Sequence, residues 1–111
     1  RRRAEGRRGA AVPALSDAAF ARVVEIGKLL AAIDAGNITR GGGGADIAPV
    51  MAAGVPGLGM RTVGTHYFDW HHTEADTFDK INPQDFNQNV AALAVMSFVL
   101  ADMPERLSEM K

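Results

Sequence analysis

All three histidines of the chain fall in one short stretch, His66-Tyr67-Phe68-Asp69-Trp70-His71-His72-Thr73-Glu74-Ala75-Asp76-Thr77. Three carboxylates and four of the seven aromatic residues share or adjoin it, and it contains no Lys or Arg. Neutral imidazoles and carboxylates without a competing cation suit a borderline divalent metal such as zinc. From composition alone the same residues fit better with a surface turn, in which the imidazoles are solvated and Asp76 caps a following helix. Cysteine is absent, so no thiolate zinc site, iron–sulfur cluster, disulfide or cysteine nucleophile can be built from this chain.

The elements that must position this stretch can be read from capping and periodicity. Ser16 is a good N-cap, with Asp17 in the positive first turn. Phe20, Val23, Val24, Leu30 and Ile33 then recur at helical spacing, and Gly36-Asn37 supplies a stop. Ile38-Thr39-Arg40 predicts a very short strand before the glycines Gly41 to Gly44. A second, shorter helix is predicted from Asp46 as N-cap, with Pro49 in its first turn and Gly54 at its end. Val55 to Thr62 reads as a strand weakened by its glycines, and Val63 to Thr77 as an irregular aromatic loop. Asn82-Pro83 opens the last helix, with Asp85 in its first turn.

From Val90 to Ala101 only Ser97 is polar, so the last helix is apolar nearly all round. Such a helix belongs inside a large domain. Two further helices and two short strands can hardly cover it, and a two-stranded sheet is not independently stable. The expected class is α/β: about three helices and two short strands, part of a bigger α/β domain. A site on the loop between the second strand and the last helix would sit where α/β proteins place their chemistry.

Composition narrows the function classes. The chain has 111 residues, 47% of them hydrophobic, and a net charge of −1, which fits a globular chain rather than a disordered one. Residues 1–10 carry five Arg and one Glu, so the basic character is a tail and the remainder is mildly acidic. Residues 1–15 read as a flexible Arg/Gly/Ala-rich leader, and residues 16–111 as the folded part. The leader lacks aromatic interleaving and a basic continuation, so nucleic acid is not an expected partner. No targeting signal is visible, and the longest apolar run falls short of the roughly 20 residues a bilayer requires. Gly41 to Gly44 precede a helix but no Gly-Lys-Ser/Thr follows. Asp46 also puts a negative charge where a phosphate would sit, so glycines adopting positive φ explain the run better. Asn37-Ile38-Thr39 is a glycosylation sequon, though Asn after Gly is more simply a helix terminator. The five methionines are scattered and read as core filler.

The string His72-Thr73-Glu74-Ala75-Asp76-Thr77 resembles the His-Thr-x-x-Asp-Thr pattern of the zinc-dependent aminopeptidase family of co-catalytic metallopeptidases. The resemblance extends over GGGGADIAPVMAAGVPGLGM, THYFDWHHTEADTFDKINP and NVAALAVMSFVLADMPERL, roughly residues 16–107. It covers most of this chain but only the C-terminal quarter or so of a typical member. The resemblance implies a mixed sheet sandwiched by helices, and two zinc ions bridged by a carboxylate and a water or hydroxide, with His72 as the last zinc ligand. It implies His71 as a donor to the developing oxyanion. Asp46 matches a residue beside the metal pocket, while its reading as a helix N-cap is equally good; Asp76 falls in the same outer layer. Peptide is the implied substrate. A secreted or periplasmic location is implied too, and homodimerisation of the parent is left open.

The departures from the family pattern matter as much. Its other ligands come from a His-x-Asp motif, a Glu-Glu pair and a further acid, and neither motif occurs in this chain. The Glu-Glu pair holds the general base, so these residues alone should be inert. Two functions from different classes follow. One is the C-terminal segment of a dinuclear zinc exopeptidase, of aminopeptidase or dipeptidase/carboxypeptidase type. The other is a non-catalytic α/β interaction module derived from that family.

Overall fold

The computed structural model describes residues 15–41 and 43–111; the N-terminal leader expected from the sequence lies outside them up to residue 14. The first helix, α1 (Asp17–Gly27), forms as its cap predicts. The Ser16 hydroxyl oxygen accepts from the Ala19 N–H at 3.0 Å, and Asp17 occupies the positive first turn. The helix tightens into a 3-10 stretch over Lys28–Ile33, which closes on Asp34 in the left-handed conformation (φ 55°, ψ 32°). The stop therefore comes two residues before the expected Gly36. Gly36 serves packing instead: a Cβ there would lie 2.7 Å from the Gly27 carbonyl oxygen, so the chain leaving the helix crosses against its end.

The short helix α2 (Ala48–Ala52) forms where expected, with Pro49 in its first turn and Gly54 (φ +94°) just past its end. Asp46 is not its cap. Ile47 holds that position, with no side-chain cap bond, and Asp46 sits in the preceding turn. Within the stretch expected to be an irregular loop, Tyr67–Trp70 makes a single helical turn, α3. The last helix, α4 (Pro83–Asp102), follows its signals closely: the Asn82 side chain accepts from the N–H groups of Gln84 (2.9 Å) and Asp85 (3.1 Å).

The expected α/β class is overturned: among the described residues there is no strand, and the regular structure is helical throughout. The segments predicted as strands, Ile38 to Arg40 and Val55 to Thr62, run as irregular chain. None of the N–H groups of residues 57–66 bonds to the backbone carbonyl of another described residue. The physical reason lies in pairing. A strand is stabilised by its neighbours, and a Pro56-Gly57-x-Gly59 segment offers weak cross-strand contacts and no intrinsic drive to extend.

The core is small. Ala19, Val23, Ile26 and Leu30 of the first helical unit and Ala92 of α4 are the buried apolar residues among those described, and α4 contacts both α1 and its 3-10 extension. Arg40 straps the exit segment back onto α1: it donates to the Leu15 carbonyl at 2.9 Å, pairs with Asp17 at 2.5 Å and lies 4.3 Å over the Phe20 ring. The rest of α4 is poorly covered, with Leu93 54% and Phe98 70% exposed, as expected for a helix apolar all round. No helix among the described residues is long and apolar enough to cross a membrane.

Candidate functional site

The histidine stretch is built on α3 and the tight turn that ends it. His71 has φ −49° and ψ 124°, and His72 has φ 57°. With the Thr73 N–H bonded to the Trp70 carbonyl at 2.9 Å, these are the dihedrals and closure of a type II turn. The third position of that turn favours glycine, and here a histidine fills it. The Thr73 hydroxyl fastens the turn further, donating to the same Trp70 carbonyl at 2.6 Å. Backbone held in this region by a non-glycine residue is a feature that concentrates at functional sites.

The ring of His71 lies 4.3 Å from that of Tyr67 in a stacked arrangement and 3.8 Å from that of His72. His66, at the start of α3, pairs its Nδ1 with Asp69 Oδ2 at 2.7 Å and lies 6.1 Å from the Trp70 ring. Beyond the turn, Lys80 contacts Asp79 at 2.8 Å and approaches the Trp70 ring at 5.5 Å. The Lys80 ammonium, and then the Thr77 hydroxyl, bond to the Asp79 carboxylate and lower its pKa from the ordinary 3.8 to about 2. Asp76 is exposed, and the one-turn helix that follows it has Thr77, not Asp76, at its cap position.

The structure therefore places His66 at the start of α3 and His71 and His72 on the turn that ends it, but does not gather a metal-binding set. Among the described residues no three His, Cys, Asp or Glu side chains converge as metal donors, and this holds for Asp46 and Asp76 as well. A zinc site takes three or four protein donors, and a co-catalytic pair takes more. The described residues by themselves do not fit a zinc pair. Sequence reading missed the contact of Tyr67 with His71. Its signal was the four-residue spacing to His71, which becomes contact only once Tyr67–Trp70 is recognised as helical.

Comparison with known proteins agrees with the resemblance read from the motif. The chain is 37% identical over 92 residues to carboxypeptidase Q of Mus musculus and 36% identical over 92 residues to those of Rattus norvegicus and Homo sapiens. The matched stretch is 83% of this chain and 20% of each relative, so the chain spans about a fifth of the length of the curated relatives it matches. No family model and no solved structure matches. The chain is a fragment-sized relative of carboxypeptidase Q.

Proposed function

We propose that this chain is the C-terminal segment of a dinuclear zinc exopeptidase that hydrolyses peptide bonds, and that it supplies the complete enzyme with one zinc ligand, His72. The observation that carries the reading is the left-handed backbone at His72, in a turn that would take glycine more readily (φ 57°). The similarity to carboxypeptidase Q over 83% of the chain gives that conformation a function to serve. His71, the residue before it, is assigned to donate to the carbonyl oxygen as negative charge develops there. Asp46 and Asp76 are assigned to the pocket around the ligand. When bound, the metal pair supplies Lewis acidity and a nucleophile at neutral pH. The remaining donors and the general base belong to the missing part of the enzyme, as does the choice between amino- and carboxy-terminal residues. A secreted or periplasmic location belongs to the same reading.

The test is His72→Ala in the complete enzyme, with metal content and peptide hydrolysis measured together. The expected result is loss of zinc and near-abolition of turnover in a protein that remains folded. Normal zinc occupancy with a normal rate would transfer the ligand role to another residue. If the complete protein has neither zinc nor peptidase activity even before mutation, the interaction-module reading takes its place.

A further inference from the structure

Tyr67, Phe68, His71 and His72 form one packed group of rings, and α3 sets its geometry. Tyr67 and His71 stand four residues apart across the helical turn, with ring centroids 4.3 Å apart and planes 28° from parallel. Phe68 meets both rings edge-on, Tyr67 at 5.0 Å and His71 at 6.0 Å. These are favoured arrangements for aromatic pairs. Tyr67 Oη lies 3.4 Å from His71 Nε2, beyond the roughly 2.7–3.2 Å usual between nitrogen and oxygen, so the stacked face rather than a hydrogen bond holds the pair. The imidazole needs such support, because rotation about its outer torsion is broad and weakly restrained.

We propose that Tyr67 is a positioning residue: its ring face fixes the plane of the His71 imidazole, so that the ring's N–H meets the carbonyl oxygen of a peptide substrate at the moment charge develops. This rests on the reading of His71 as the oxyanion donor. A donor acts through placement, and a 1 Å displacement can cost about a hundredfold in rate. Removing the stacked face should therefore slow turnover while leaving substrate binding intact.

The experiment compares Tyr67→Leu, Tyr67→Phe and His71→Ala in the complete enzyme on a dipeptide substrate. Leucine keeps apolar bulk without a π face; phenylalanine keeps the face and drops the hydroxyl. Tyr67→Leu is expected to lower kcat about tenfold or more with KM within about twofold, and Tyr67→Phe to recover most of the loss. Zinc content and Tm should stay near wild type in both. In histidine-labelled NMR spectra, the upfield ring-proton shifts of His71 caused by the stack should persist with phenylalanine and vanish with leucine. An unchanged kcat in Tyr67→Leu beside a slow His71→Ala overturns the positioning role and leaves the oxyanion reading standing. A normal rate in His71→Ala overturns both. A Tyr67→Phe variant as slow as Tyr67→Leu assigns the effect to the hydroxyl and overturns the stack. Loss of zinc or a large fall in Tm in Tyr67→Leu reduces Tyr67 to structural support.

Discussion

His72 combines two demands that conflict. As a proposed ligand it must be a histidine, while the third position of its turn, at φ 57°, is one where an L side chain costs roughly 1–2 kcal/mol. Replacing it separates the two. His72→Gly and His72→Ala both remove the imidazole, so their difference reports the backbone alone. The glycine variant should be the more stable by about 1 kcal/mol, reduced somewhat by the greater entropy of its unfolded chain, and readable as a higher Tm in the metal-free enzyme. Equal melting temperatures would mean that the turn relaxes. Asp79 makes a second prediction at this scale. Its carboxylate is held by Lys80 and Thr77, which lower its pKa from 3.8 to about 2. A group depressed in the folded state stabilises it above the unfolded pKa and loses that contribution as pH falls through the folded one. The loss should therefore fall between about pH 4 and pH 2, with the side chain's 13C resonance titrating near 2. Lys80→Ala should raise that midpoint toward the ordinary value.

The starts of α1 and α4 and the stop of α2 at Gly54 were legible from single residues, whereas the Asp46 cap, the stop at Gly36 and both strands were not. Ser16 and Asn82 cap helices as their side chains predict, because a cap needs only neighbours two or three residues away. Gly36 was misread for the opposite reason: its meaning depends on a segment it crosses, not on its neighbours in sequence. Gly36→Ala would push a Cβ to 2.7 Å from the Gly27 carbonyl oxygen, a backbone atom that no rotamer change can move aside. It should cost about 1–3 kcal/mol, measured by denaturant unfolding of the complete enzyme. Gly57→Ala meets the flexible side chain of Met51, which can swing aside, and should cost less. If the two substitutions prove equal, the crossing at Gly36 has more room than its geometry indicates. The strands at 38–40 and 55–62 failed for a related reason. Extended structure draws its stability from partner strands, and no pairing partner exists for them among the described residues. For the candidate site the motif was visible in the sequence, yet a ligand set was not. His71 and His72 are local, whereas the remaining donors expected by resemblance come from motifs this chain does not contain.

At the scale of the molecule, the described core and the composition of α4 do not match. The helix carries an apolar run from Val90 to Ala101, and only Ala92 on it is buried. Val90, Leu93 and Phe98 are exposed, as are Phe68 and Phe78 on the segment before the helix. Burial of apolar surface is worth about 25 cal/mol per Å², so side chains of this size each forgo roughly 1.5–3 kcal/mol while they face water. Large apolar side chains exposed in this number on and before one helix point to a missing partner. A small core leaves little margin against the entropy of ordering the rest. The isolated 111-residue chain should therefore self-associate or remain poorly folded. Sedimentation velocity should find species larger than a monomer, and thermal unfolding should be broad. Phe98→Glu separates this cause from general instability. In the isolated chain it should shift the distribution toward monomer, because the most exposed aromatic of α4 no longer drives association. In the complete enzyme the same change should lower Tm and the yield of folded protein, because it places a charge against the face that the rest of the enzyme would cover. A sharp, two-state transition from a monodisperse monomer of the unmodified chain would show that α4 is content in water, and the segment reading would lose its physical support.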